Sequence, residues 1–78
     1  MPDPNFIASL KALMLALLDY VGEREVDPKA IVSNFKSQMV TTALECLIED
    51  GFLLVVGDNV VLTHKGRYQV RLYKRELN

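Results

Sequence analysis

Ala43-Leu44-Glu45-Cys46-Leu47-Ile48-Glu49-Asp50-Gly51-Phe52-Leu53 is the stretch on which the fold turns. Its apolar residues recur at helical spacing up to Ile48. Gly51 then interrupts the pattern, and Phe52-Leu53-Leu54-Val55-Val56 is a β-rich run. Glycine at that point suits a sharp change from helix to strand, where a Cβ would be strained. Downstream, Gly57-Asp58-Asn59 is a turn cluster and Val60-Val61-Leu62 a second β-rich run. Two such runs with so short a polar connection predict a β-hairpin. A lone hairpin is marginal in water, so it must pack on helices. Leu44, Leu47 and Ile48, with Phe52 or Leu54, are expected beneath it, and Leu62 is expected to return the second strand to the core.

Upstream, the third helix is predicted over about Gln38 to Asp50, with Met39, Val40, Ala43, Leu44, Leu47 and Ile48 facing inward. Lys36-Ser37 forms the turn before it, with Ser37 a candidate cap. Asp27-Pro28 opens a second helix, a cap followed by proline. It runs to about Asn34 or Phe35. Two helices separated by so few residues make a helix-turn-helix arrangement. Downstream of the hairpin, Thr63 is a good N-cap for a last helix from about His64 to Leu77, whose first turn Gly66 weakens. At the other end, Asp3 and Pro4 open a first helix reaching Val21, with Gly22 as its stop. Its stripe is Phe6, Ile7, Leu10, Leu13, Met14, Leu17, Leu18 and Val21. The opposite side holds Ala8, Ala12, Leu15 and Asp19. A helix apolar nearly all round is buried on more than one side. Either the chain's own hairpin or tail covers that side, or it is a dimer interface.

The 78 residues allow one domain, 1–78, and half of them are apolar. A domain this small is often stabilised by oligomerisation. Net charge is −1, which supplies no overall attraction for a polyanion. The charges are unevenly spread. Residues 1–62 hold nine of the ten acids and four bases, Lys11, Arg24, Lys29 and Lys36, whereas Lys65, Arg67, Arg71, Lys74 and Arg75 face Glu76 alone. This asymmetry predicts either a local anion-binding surface or a solvated basic helix face. On the wheel Arg67, Arg71, Lys74 and Arg75 share one side of the last helix, and Gly66, Val70, Tyr73 and Leu77 another.

Cys46 is the single cysteine, which excludes an intramolecular disulfide and suits a reducing compartment. A buried, inert thiol is expected. The lone His64 is expected at the surface. One cysteine and one histidine do not make a zinc site, and no glycine-rich phosphate loop is present. No enzyme activity, metal or cofactor is expected. The apolar run Ala12–Leu18 is far shorter than the roughly 18 residues of a spanning helix. No secretory signal is visible, so a cytoplasmic protein without membrane contact is expected.

The order helix, helix, turn, helix, hairpin, helix resembles the winged helix-turn-helix superfamily, an α+β, mainly helical fold. The residues that carry the resemblance are 43–53 and Val61-Leu62-Thr63-His64-Lys65-Gly66-Arg67. The second piece is similar to the end of the wing in MarR- and PadR-like regulators and small archaeal winged-helix proteins. The resemblance covers about residues 26–67. It implies a small DNA-binding transcriptional regulator acting on double-stranded DNA as a homodimer. Helix three would enter the major groove, with Gln38, Thr41 and Thr42 at base edges and Lys36, Lys65, Arg67 and Arg71 on the backbone. Ala8, Ala12, Leu15, Val70, Tyr73 and Leu77 are the candidate dimer interface. The same domain serves elsewhere as a protein-binding module. Helix three argues for that alternative: its exposed side carries Glu45 and Glu49 and no cation, and Asp58 stands at the hairpin tip. A protein partner would then meet the acidic third helix or the apolar first.

Overall fold

The computed structural model describes residues 4–77, with side chains from Asn5 to Arg75. Four helices and one two-stranded antiparallel sheet follow in the order α1 (Pro4–Val21), α2 (Pro28–Phe35), α3 (Val40–Glu49), β1 (Leu53–Val56), β2 (Asn59–Leu62) and α4 (His64–Leu77). The chain is mainly helical, with α and β elements in one small body. The expected cap at Asp3 lies outside the described residues.

Local chemistry accounts for most element ends. α1 stops where the Gly22 N–H donates to the Leu18 carbonyl at 3.1 Å. The Asp27 carboxylate accepts the Lys29 N–H at 2.9 Å, and Pro28 opens α2, so an orphan donor of the first turn is satisfied. α2 ends on Lys36 in the left-handed conformation (φ 42°, ψ 39°). The Ser37 hydroxyl accepts the Met39 N–H at 3.2 Å, and the Ser37 carbonyl accepts the Val40 N–H at 3.3 Å. Ser37 therefore closes a turn over residues 37–40 instead of capping the helix directly. α3 starts at Val40, two residues later than the sequence predicts.

The end of α3 is a Schellman motif. The Phe52 N–H donates to the Leu47 carbonyl at 2.9 Å and the Gly51 N–H to the Ile48 carbonyl at 3.1 Å, with Gly51 at φ 81°. The glycine is required here for its backbone angle, since open space surrounds the position a Cβ would take. Thr63 ties α4 to this same turn. Its hydroxyl donates to the Gly51 carbonyl at 2.5 Å and accepts the Gly66 N–H at 3.1 Å, while its own N–H donates to the Phe52 carbonyl at 3.2 Å. The start of α4 and the end of α3 are thus one hydrogen-bonded junction.

The hairpin turns at Gly57-Asp58, and its register pairs Leu53 with Leu62, Leu54 with Val61, Val55 with Val60 and Val56 with Asn59. Val26 adds an isolated bridge to the far side of β2: the Val26 N–H donates to the Val60 carbonyl at 3.0 Å and the Val60 N–H to the Val26 carbonyl at 2.9 Å.

One core joins these elements. α1 supplies Leu17, Leu18 and Val21, α2 Ile31, and α3 Val40, Ala43, Leu44 and Leu47. Leu53, Val60 and Leu62 enter from the hairpin and Val70 from α4. α1 packs against both α3 and α4. Tyr20 meets Phe35 edge-on at 5.4 Å and its hydroxyl accepts from Asn34 Nδ2 at 2.9 Å, which locks α1 to α2. Two expected core residues are not buried: Ile48 and Leu54 are exposed. Ile48 stands on the far flank of α3, and Leu54 points to the opposite face of the sheet from Leu53 because side chains alternate. Among the described residues no helix is long and apolar enough to cross a membrane.

Candidate functional site

The α3 surface is the face the resemblance would present to DNA. Thr41, Thr42, Glu45 and Glu49 are all exposed on α3, and Gln38 is exposed in the turn before it. Lys36 is exposed at the end of α2. This surface therefore combines three uncharged polar residues, two carboxylates and the one cation that the turn supplies.

Of the remaining predicted cations, Lys65 and Arg67 have local partners, and Arg71 is exposed on α4. Lys65 Nζ donates to the Asp50 carbonyl at 2.6 Å and sits 4.5 Å from the Phe52 ring centroid. Its charge meets the negative end of the α3 dipole and an aromatic face together. Arg67 pairs with Glu23 at 3.5 Å, and Lys74 with Asp19 at 3.3 Å. Both pairs are solvent-accessible, so each contributes little to stability. They nevertheless show where the basic side of α4 goes. Arg67, Arg71 and Lys74 line a cleft with Asp19, Gly22 and Glu23 at the C-terminal end of α1. None of the described contacts joins this cluster to Lys36, Gln38, Thr41 or Thr42.

The candidate dimer residues also divide. Ala8 and Ala12 are exposed on α1. Leu15 is half-buried at an apolar groove with Met14, Leu18, Leu47 and Phe52, and Lys11 and Gln69 are at the same groove. Tyr73 is half-buried. Val70 is a correction: it is 9% exposed and belongs to the chain's own core. A helical wheel groups Val70 with its neighbours but does not say which neighbour they meet, and here α1 takes that side. The side chain of Leu77 lies outside the described residues.

Cys46 is a second correction. It is half-exposed and not enclosed. His64 is exposed at the first position of α4. Among the described residues no three His, Cys, Asp or Glu side chains gather as a metal site.

The largest departure concerns β1. Leu54, Val55 and Val56 are 56%, 52% and 42% exposed, and Val61 beside Leu54 is half-exposed. An antiparallel pair with one wet face ordinarily alternates apolar inward with polar outward. The signal was present in the sequence: Phe52–Val56 is five apolar residues in a row, with no polar residue at the outward positions. No family model, curated protein or solved structure matches the chain.

Proposed function

We propose that this chain is a winged helix-turn-helix module whose partner is a protein, not DNA. The observation that carries this reading is the charge of the face a DNA reader would use. α3 exposes Glu45 and Glu49 and no cation, while Lys65, Arg67 and Lys74 contact groups of the chain itself. Phosphate neutralisation supplies essentially all non-specific affinity for DNA. Lys36 alone would give a salt slope of only about −1 on a log–log plot. The wing adds no cation either: β1 presents Leu54, Val55 and Val56, and its tip carries Asp58. Exposed apolar surface of this kind marks contact with another macromolecule.

One observation favours the DNA-binding regulator that the resemblance implies. Lys36 adopts a left-handed backbone conformation that glycine would take at less cost. It stands beside Gln38 with its charge at the surface. The two readings separate on a titration of fluorescent random duplex DNA at low salt. The protein-binding reading expects no saturable anisotropy change. Binding that weakens steeply with added salt would overturn it.

A further inference from the structure

We infer that the apolar groove beside α1 binds a small amphipathic acid: an alkyl monocarboxylate whose chain lies on Leu18 and Leu47 and whose carboxylate meets Lys11 and Gln69. This goes beyond the protein-binding reading and does not depend on it.

Helical spacing builds one wall of the groove. Lys11, Met14, Leu15 and Leu18 recur at intervals of three and four residues, so they share a face of α1. Leu47 of α3, Phe52 at the α3–β1 junction and Gln69 of α4 complete the lining. Leu18 and Leu47 line the groove yet are each only 1% exposed, which makes them its floor. Leu15 and Phe52 are half-buried above them. The Phe52 ring is already engaged by the Lys65 ammonium, 4.5 Å from its centroid, so this wall stands without a ligand. A preformed apolar concavity with a few polar groups is what a small molecule requires.

The polar groups select an anion. Lys11 is exposed and makes no hydrogen bond or ion pair among the described residues. Its helical neighbours at three and four residues are Ile7, Ala8, Met14 and Leu15, none of them acidic. It also stands mid-helix, away from the last turn where a cation favours the dipole. Among the described residues no carboxylate lines the groove. The cleft at the C-terminal end of α1 is the reverse case, since Arg67 and Lys74 are answered there by Glu23 and Asp19. Gln69 is half-buried and likewise makes no hydrogen bond among the described residues. Its amide N–H is a second donor for a carboxylate.

Size sets the class of ligand. The groove encloses about 270 Å³. That is room for about nine non-hydrogen atoms at the roughly 30 Å³ a water molecule occupies in the liquid. Drug-sized ligands and cofactors take about 300–1,000 Å³, so a nucleotide is too large. A chain of about eight carbons fills the space and leaves its carboxylate at the mouth.

Titration of the whole isotope-labelled chain with alkyl carboxylates, followed by two-dimensional NMR, tests the site. Octanoate is expected to shift the amide signals of Lys11, Leu15, Phe52 and Gln69 saturably. Affinity should rise by up to about fourfold for each methylene added from butanoate to octanoate, then level off once the groove is full. Octylamine should bind more weakly than octanoate. Lys11→Gln, at an exposed position, is expected to weaken octanoate about two- to fivefold, as loss of a solvent-accessible ion pair does, and to leave octanol unchanged. Lys11→Glu should reverse the order of octanoate and octylamine. Octanoate, octanol and octylamine binding alike to the wild type would overturn the inference. So would the absence of saturable shifts, or shifts confined to Leu54, Val55 and Val56.

Discussion

Gly66 rests directly on the carbonyl of Phe52, so closely that a Cβ at position 66 would overlap the oxygen. Its other neighbour on that side is Leu62 Cδ2, at 3.1 Å from the same point. Glycine in the first turn of a helix reads from sequence as a weakness. In the folded chain it is the condition for α4 to lie against the α3–β1 junction. The carbonyl cannot swing aside without breaking its hydrogen bond from Thr63 N–H. Gly66→Ala should therefore destabilise by about 1–3 kcal/mol, although alanine is the better helix former by about 1 kcal/mol. Urea unfolding would show it as a lower midpoint. A midpoint raised by the substitution would mean that α4 is not held at this distance.

Thr63 contributes to the same junction through its hydroxyl, which both donates to Gly51 and accepts from Gly66. Thr63→Val keeps the shape and removes both bonds, leaving a part-buried carbonyl and N–H without that partner. The expected loss is about 1–3 kcal/mol. Thr63→Ser should retain most of the stability, and thermal unfolding of the two variants side by side separates hydrogen bonding from packing.

Lys36 occupies a left-handed position at the C-cap of α2. Lys36→Gly should stabilise by about 0.4–1 kcal/mol through relief of that backbone cost, offset in part by loss of a favourable charge at the helix end. Under the protein-binding reading its affinity for random duplex DNA is not expected to change measurably. A stabilised variant that loses a wild-type DNA complex would identify Lys36 as a phosphate contact.

Glu45 and Glu49 are exposed one turn apart on α3. If they are what keeps DNA off this surface, reversing both should create affinity. Glu45→Lys/Glu49→Lys is expected to bind random duplex at low salt with a slope about two charges steeper than wild type, at nearly unchanged stability. An inert double variant would place the obstacle in geometry and not in charge.

The backbone was largely legible in the sequence because its signals are local. Asp27-Pro28 marks the start of α2, Gly51 the exit from α3, and Gly57-Asp58 the hairpin, each acting within a few residues of itself. Only the start of α3 moved, since Ser37 can serve either a cap or a turn and a hydroxyl pattern does not distinguish them. What could not be read was which surface meets which. Val70 turned inward because α1 lies there, and Arg67 and Lys74 found Glu23 and Asp19 across the fold. Those pairings depend on helix placement, which no spacing within α4 encodes. The exposed β1 was legible in principle: an unbroken apolar run leaves one face of a two-stranded sheet without polar cover.

The bridge between Val26 and Val60 has a further consequence for assembly. It caps one side of the small sheet. A sheet with two open borders can add strands without limit and grow into a fibre. Here one border is already occupied by the linker before α2. β1 is the border left open, so a strand can add to this sheet on one side alone.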